Sequence, residues 1–188
     1  MAHLKLLSAC LILFILCHTL STTCQWTQFK LVELNNKCIQ LLKDMGGNFP
    51  IVCLKENIKL KFPEGVYRLS GHTQDDIAFI AYEALNYVAK IFSNNMDSTT
   101  WNNKKIRLFK NLLHRQVENL EECVRSEMPF SGDGSFPAAN MILKEYFEEL
   151  GTLLKDKGWR LCAWEIVRKE VRHNLEQLKM FLERRGRQ

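Results

Sequence analysis

The sequence lacks the motifs that most enzyme active sites require. It has no G-x-S-x-G nucleophile motif, no glycine-rich phosphate loop, and no H-x-x-x-H spacing for a metal ion. Adjacent carboxylates such as Glu121-Glu122 and Glu148-Glu149 would point about 100° apart on a helix, so they make poor acid–base pairs. We therefore expect neither an enzyme nor a bound metal or cofactor.

Long hydrophobic runs are also absent, except at the start of the chain. Lys5 is the single charge among residues 1–23, and the apolar run from Leu6 to Cys17 is followed by the small residues Ser21-Thr22-Thr23. This layout is typical of a secretory signal peptide cleaved after Thr23, with cleavage after Cys24 as the alternative. A membrane span needs about 20 apolar residues. We expect a signal peptide over residues 1–23, one domain over 24–188, secretion to the extracellular space, and no membrane insertion.

An excess of charge of either sign is missing too. The full chain carries a net charge of +5, and cleavage would remove only Lys5. A charge this small and dispersed argues against nucleic acid as a partner. No Asn-x-Ser/Thr triplet occurs, so an N-linked glycan is not expected.

The cysteines predict disulfides, but their spacing leaves the pairing open. Cys10 and Cys17 would leave with the signal peptide, and five cysteines would enter an oxidising compartment where disulfides persist. Two bridges among five cysteines allow fifteen pairings and leave one thiol over. No C-x-x-C pair occurs among the five, which gives little support to a zinc site or a redox motif. The five are Cys24, Cys38, Cys53, Cys123 and Cys162.

Apolar residues recur every three or four positions through most of the remaining chain, and no credible strand pattern occurs. Gly46-Gly47 should end the first helix, and the long connection at 46–72 is of a kind that tends to be functional. A long first connection favours an all-α, up-up-down-down bundle over a simple meander. The five predicted helices are Trp26–Met45, one from Thr73, whose hydroxyl can cap it, to about Asn94, one from about Ser98 to Val124, Pro137–Asp156 and Trp159–Arg184. The predicted inward positions are Ile142, Tyr146, Leu150 and Leu153 in the fourth helix, and Trp164, Val167, Val171, Leu175, Leu178 and Leu182 in the last.

The surface of the last helix permits two interpretations. Arg168, Arg172 and Lys179 line one flank of its apolar stripe. They could belong to a solvated face held by the i,i+4 pairs Glu165–Lys169 and Arg172–Glu176. Alternatively they form a partner surface, because arginine is enriched among interface hot spots.

The segment Cys162-Ala163-Trp164-Glu165-Ile166-Val167-Arg168-Lys169-Glu170 resembles the C-A-W-E-[IV]-[VI]-R-x-E signature of type I interferons, which lies at the start of their final helix. Cys24-Gln25-Trp26 is similar to the C-x-W start of the bony-fish members, and Thr100-Trp101 to their third-helix opening. The segment from Gln116 to Leu120, followed by Cys123, resembles a Q-[VL]-x-x-L segment of the family. The resemblance covers roughly residues 24–184. The resemblance implies a helical-bundle cytokine.

The resemblance also implies a disulfide pairing. The family joins its N-terminal cysteine to the one that ends the third long helix, and its first long loop to the final helix. Carried over, this pairing is Cys24–Cys123 and Cys53–Cys162. Cys38 has no counterpart and lies on the apolar stripe of the first helix, so we expect a buried free thiol rather than an intermolecular bridge.

Finally, the resemblance implies receptor binding as the function. One face, formed by the first helix, the long loop and the final helix, would bind one chain of a two-chain class II cytokine receptor tightly. The second to fourth helices would recruit the other chain more weakly, so that receptor-associated kinases turn on antiviral genes. We expect a monomer. The matching contact positions are Leu54, Lys55, Arg168, Lys169, Arg172 and His173, of which Arg168 occupies the place of the signature arginine.

Two other classes of helical protein are alternatives to a type I interferon. Another helical cytokine, interleukin-10-like or type III interferon-like, would use a different receptor pair, and the C-A-W-E segment argues against it. A membrane-active helical protein would need apolar faces left free for lipid. All five apolar stripes instead suit burial against one another.

Overall fold

A computed structural model describes residues 23–68, 74–127 and 135–185, and these contain helices joined by turns and loops, with no strand. The predicted signal peptide, except for Thr23, lies outside the described residues, as does the proposed capping residue Thr73. The prediction of five long helices is confirmed, and the long connection adds a 3₁₀ helix, η1, at Ile51–Glu56. The α-helices are α1 Thr23–Gly46, α2 Glu64–Arg68, α3 Gln74–Phe92, α4 Asn103–Glu127, α5 Ser135–Asp156 and α6 Leu161–Arg185.

Local sequence explains where α1 ends and α4 begins. Gly47 has a φ of +66°, which glycine adopts without strain, and its N–H donates to the carbonyl of Lys43 at 3.0 Å. Asn102 caps α4, because its Oδ1 accepts a hydrogen bond from the backbone N–H of Lys105 at 3.1 Å. This helix, the third of the five predicted, therefore begins a few residues later than its predicted start near Ser98–Thr100.

Cross-helix contacts establish the direction of each helix. Asn35 on α1 lies near Leu175 on α6, and Leu42 near Arg168, so these two helices are antiparallel. The contacts of Cys38 with Gln116 and of Asp44 with Lys105 likewise make α4 antiparallel to α1. The short connection between α3 and α4 makes α3 parallel to α1. Helices α1, α3, α4 and α6 thus form the up-up-down-down core, and α5 packs against α3 and α6.

The predicted apolar stripes form one hydrophobic core, with one local error. Ile142 was expected to face inward on the fourth long helix, but 43% of it is exposed while its neighbour Leu143 is fully buried. The two positions are 100° apart on a helix, so the stripe runs through the adjacent residue. At one end of the core an aromatic cluster forms around Trp164, with ring contacts among Phe92, Trp101, Phe109, Trp159 and Trp164.

Candidate functional site

The long connection between α1 and α3 is fastened along the length of α6. Near its start, a disulfide joins Cys53 of η1 to Cys162, with Cα atoms 5.1 Å apart. Further along, Lys169 Nζ donates to Oδ1 of Asn57 at 2.9 Å. Because the contacts follow the numbering of both segments, the connection runs parallel to α6 and covers one side of it.

Aromatic and polar contacts hold the second half of the connection. Phe62 packs edge-on against the imidazole of His173, with ring centroids 4.6 Å apart. Tyr67 is buried, and its hydroxyl exchanges hydrogen bonds with the side-chain amide of Asn174 at 3.0–3.3 Å. Burial raises the pKa of the Tyr67 phenol, so this contact stays neutral over the physiological range. No pattern in the sequence indicates the Tyr67–Asn174 pair.

The start of the connection is also tied to the turn between α5 and α6. Lys157 Nζ lies 3.0 Å from Glu56 Oε2, and Arg160 lies 3.9 Å from the same oxygen. The hydrogen bond from Lys157 lowers the pKa of the Glu56 carboxyl, so the pair remains charged at neutral pH. The disulfide and this ion pair hold η1 from two sides.

This fixed short helix presents apolar side chains to solvent. Ile51, Val52 and Leu54 are 85%, 76% and 56% exposed, while Cys53 between them is fully buried. Lys55 is exposed beside them. Exposing three large aliphatic groups on a rigid element is costly in water, and such a patch is typical of an interaction site.

A groove of about 630 Å³ separates the connection from α6 next to this patch. Two of the predicted contact residues, Lys169 and His173, line it together with Asn57, Ile58 and Phe62. The structure therefore brings Leu54, Lys55, Lys169 and His173 onto one continuous face. We name this surface, with the exposed η1 residues and the groove, the loop–α6 face.

Arg172 lies at the edge of that face, on the α1 side of α6. Its Nε is 3.5 Å from Glu176 Oε1 in an i,i+4 pair, and its side chain is 37% exposed. One of the two surface pairs expected from the sequence is therefore present. The other, Glu165–Lys169, is not formed, because Glu165 is buried and bonds elsewhere.

Arg168 does not lie on the surface, and its predicted role as a receptor contact is corrected here. Only 4% of the residue is exposed. Its Nη1 donates to the carbonyl of Leu42 at 2.7 Å and its Nη2 to that of Gly47 at 3.0 Å. The carbonyls at the end of α1 need donors, and this guanidinium supplies them. Arg168 therefore fastens α1 to α6 from inside.

The buried arginine is neutralised by Glu165, one turn earlier on α6. Glu165 Oε2 accepts from Arg168 Nε and Nη2, and its Oε1 accepts from the indole Nε1 of Trp101 at 2.6 Å. The Arg168 guanidinium lies 5.8 Å from the Trp101 ring centroid. A Cβ at Gly46 would come within 2.9 Å of both groups, so only glycine fits. We call these four residues the arginine clamp.

The cysteines behave in three different ways. Cys53 and Cys162 form the disulfide described above. Cys123 is also disulfide-bonded, and its predicted partner, Cys24, has a side chain outside the described part of the chain. Cys38 is a free, fully buried thiol, as predicted.

The environment of Cys38 makes its thiol inert. Gln116 Nε2 donates to its Sγ at 3.3 Å, and burial raises its pKa to about 12.

The described residues contain no group of three or more potential metal-ligating side chains. Among the described helices, none is both long and apolar enough to cross a membrane.

Comparisons with known proteins agree with the geometry. A sequence model of the interferon alpha/beta domain matches residues 27–185. Interferon a3 of Oncorhynchus mykiss is 31% identical over 161 residues, covering 84% of each chain. Human interferon alpha-21 is 29% identical over 154 residues, covering 80% of each chain. The solved structure of zebrafish interferon 2 superposes with a TM-score of 0.71 at 32% identity, covering 79% of this chain and 96% of that one.

Proposed function

This chain belongs to the type I interferon family, and we propose that it is a secreted antiviral cytokine that joins two class II cytokine receptor chains. The family consists of cytokines, not enzymes. Joining the receptor chains would activate the kinases bound to them and turn on antiviral genes. A monomer released after cleavage at Thr23 would be the active form.

The loop–α6 face carries the proposal for the tighter receptor chain. Its apolar patch on η1 is rigidly held, so the patch would lose little conformational freedom when a partner binds it. Leu54 is the central apolar anchor, and Lys55 and Lys169 add cations around it. Hot spots of protein interfaces combine a buried apolar centre with polar groups at the rim. We place Arg172 and His173 at that rim.

The second receptor chain would bind across α3, α4 and α5. These helices form the side of the bundle away from η1, since α4 packs chiefly against α1 and α3 rather than α6. Met141 and Ile142 on α5 are 58% and 43% exposed and supply apolar contact area there. Two receptor chains could therefore bind one cytokine without overlapping.

A dose–response on responsive cells tests the function. We expect antiviral genes to be induced at picomolar concentrations, and induction to disappear in cells that lack either receptor chain. Retained induction in both knockouts would contradict the proposal. Leakage of liposomes at nanomolar protein would instead indicate a membrane-active helical protein.

A matched pair of leucine variants tests the assignment of the face. Leu54→Ala should weaken binding to the isolated tight receptor chain at least about tenfold, or about 1.4 kcal/mol, measured by surface plasmon resonance. Leu108→Ala removes a similarly exposed leucine, 48% exposed, from α4. That control should leave binding to the same chain unchanged. Equal effects of the two variants would remove Leu54 from the contact.

A further inference from the structure

The exposed side of the first half of α4 is strongly basic. From Ser98 to Val117 the sequence contains no aspartate or glutamate, and five lysines and arginines lie in this stretch. Four of them point outward or to the flank of the helix, and we call them the basic strip. Lys104, Arg107 and Arg115 are exposed and Lys110 is half-buried.

The cations of this strip are not used inside the protein. In the parts of the chain that the structure describes, none of the four forms an ion pair. Neighbouring groups do have partners, since Lys105 lies 3.5 Å from Asp44 and His114 lies 3.3 Å from Glu118. The strip is thus an uncompensated positive surface in a protein with a net charge of only +5.

The order of charges along α4 opposes the helix dipole. The first turn contains no acidic residue, whereas Glu118, Glu121 and Glu122 lie in the second half. A helix is stabilised by acidic groups near its N-terminus and by basic groups near its C-terminus. Asn102, not charge, stabilises this N-terminus by capping. Because local stability favours the opposite order, the strip indicates a partner outside the chain.

A polar groove of about 620 Å³ lies beside the N-terminal end of the strip. Hydroxyl and amide side chains dominate its lining, and Lys110 closes one side. Its one carboxylate, Asp97, accepts a hydrogen bond from Asn95 Nδ2 at 2.8 Å, and the backbone N–H of Asp97 donates to Asn95 Oδ1, also at 2.8 Å. The hydroxyl and amide residues include Ser93, Asn94, Asn95, Thr99, Thr100 and Asn103.

We propose that the basic strip and this groove bind a sulfated glycosaminoglycan chain. From Lys104 to Arg115 the strip is about 16 Å long, which suits an extended polyanion rather than a single small anion. Sulfates would contact the cations, and sugar hydroxyls would bond to the groove. Binding of single-stranded nucleic acid would call for exposed aromatic side chains on which bases stack, and membrane binding for a broad apolar face. Leu108 is the single large apolar side chain exposed on the described part of α4.

Such binding goes beyond the proposed receptor function. The strip lies on α4, away from the loop–α6 face, so a glycan chain and the tight receptor chain could be bound together. The cytokine would then be retained at the surface of cells and in the matrix near its source. The strip borders the side proposed for the weaker receptor chain, so glycan and that chain would compete.

Binding to immobilised heparin tests the proposal with two triple variants of equal charge change. The first, Lys104→Gln/Arg107→Gln/Arg115→Gln, removes three cations of the strip. The matched control is Lys37→Gln/Lys144→Gln/Lys155→Gln. At about 0.15 M salt we expect the strip variant to bind heparin with a Kd at least about tenfold higher than that of the wild type. Its Kd should also depend less steeply on salt concentration. The control should change the Kd less than about twofold.

Further measurements test what the strip recognises and whether its removal disturbs the fold. Heparin stripped of its sulfates should bind at least about tenfold more weakly. The strip variant should keep or raise its midpoint of thermal unfolding, because the helix dipole disfavours the cations Lys104 and Arg107 near the N-terminus of α4. The proposal is overturned if both variants weaken heparin binding equally. It is also overturned if DNA duplexes or phosphatidylserine vesicles bind as tightly as heparin with the same dependence on the strip.

Discussion

Arg168 and Glu165 form an ion pair inside the bundle, with side chains 5% and 1% exposed and an Nη2–Oε2 distance of 2.6 Å. The pair lies one helical turn apart on α6, but its remaining bonds reach α1 and the residues before α4. Burying two charges is costly unless every polar atom is bonded, and here the surrounding carbonyls and the indole supply the bonds. The signature arginine therefore contributes to the fold rather than to a receptor contact.

Replacing Arg168 should destabilise the protein. Arg168→Ala leaves the Glu165 carboxylate buried without its counter-charge and frees the carbonyls of Leu42 and Gly47. We expect a loss of about 3–5 kcal/mol in the free energy of unfolding, measured by urea denaturation. The exposed Arg172→Ala should cost no more than about 0.5 kcal/mol. A folded, equally stable Arg168→Ala protein with weakened receptor binding would contradict the clamp.

A methyl group at position 46 should disturb the same clamp. In Gly46→Ala the new Cβ would lie 2.7 Å from Trp101 Nε1 and 2.9 Å from Arg168 Cζ. We expect a loss of about 1–3 kcal/mol on thermal or urea unfolding. Gly151→Ala is the matched control, because nothing lies within 4 Å of its added Cβ. In mid-helix that change should stabilise by about 0.5–1 kcal/mol. Similar effects at both sites would argue against close packing at Gly46.

Removing the Cys53–Cys162 disulfide should lower both stability and receptor affinity. The bridge joins residues 109 apart in sequence, for which the chain-entropy account gives about 4–5 kcal/mol. We expect Cys53→Ala/Cys162→Ala to lose much of this in urea unfolding. Receptor binding should weaken at temperatures where the variant is still folded, because η1 is no longer held. Unchanged receptor binding by the folded variant would separate the bridge from the proposed face.

The Cys38 thiol should be unreactive until the protein unfolds. Because its pKa is raised to about 12, it is fully protonated near pH 8, and only the thiolate reacts readily. Native protein should show no reactive thiol, and protein denatured without reductant should show one. A count of three would mean that a disulfide is missing.

The same thiol predicts a pH dependence with a definite sign. The folded pKa lies above the ordinary value of 9.0, so the neutral form is favoured in the fold. The stabilisation is complete below about pH 9 and is lost as the pH rises toward 12, by about 1.4 kcal/mol per pH unit. The difference in the free energy of unfolding between wild type and Cys38→Ala, measured with urea, should therefore shrink between pH 9 and 10. A constant difference between them would show that the thiol ionises normally.

The bundle could be predicted because it depends on patterns within single helices. The stripe from Trp164 to Leu182, for example, follows the three- and four-residue spacing, and every predicted position in it is buried. Cys38 was identified in the same way. Periodicity is less able to separate adjacent residues, which is why Ile142 was assigned to the core instead of Leu143.

The five helices, the stripes that pack them and the long first connection follow from local sequence, because they depend on residues close together along the chain. Which charged residues face water depends instead on how the helices pack. Arg168 and Lys169 are neighbours in sequence, yet one is sealed under the end of α1 and Trp101 while the other lines an open groove. The groups that bury Arg168 lie 67 to 126 positions away, so no local pattern on α6 could indicate their approach.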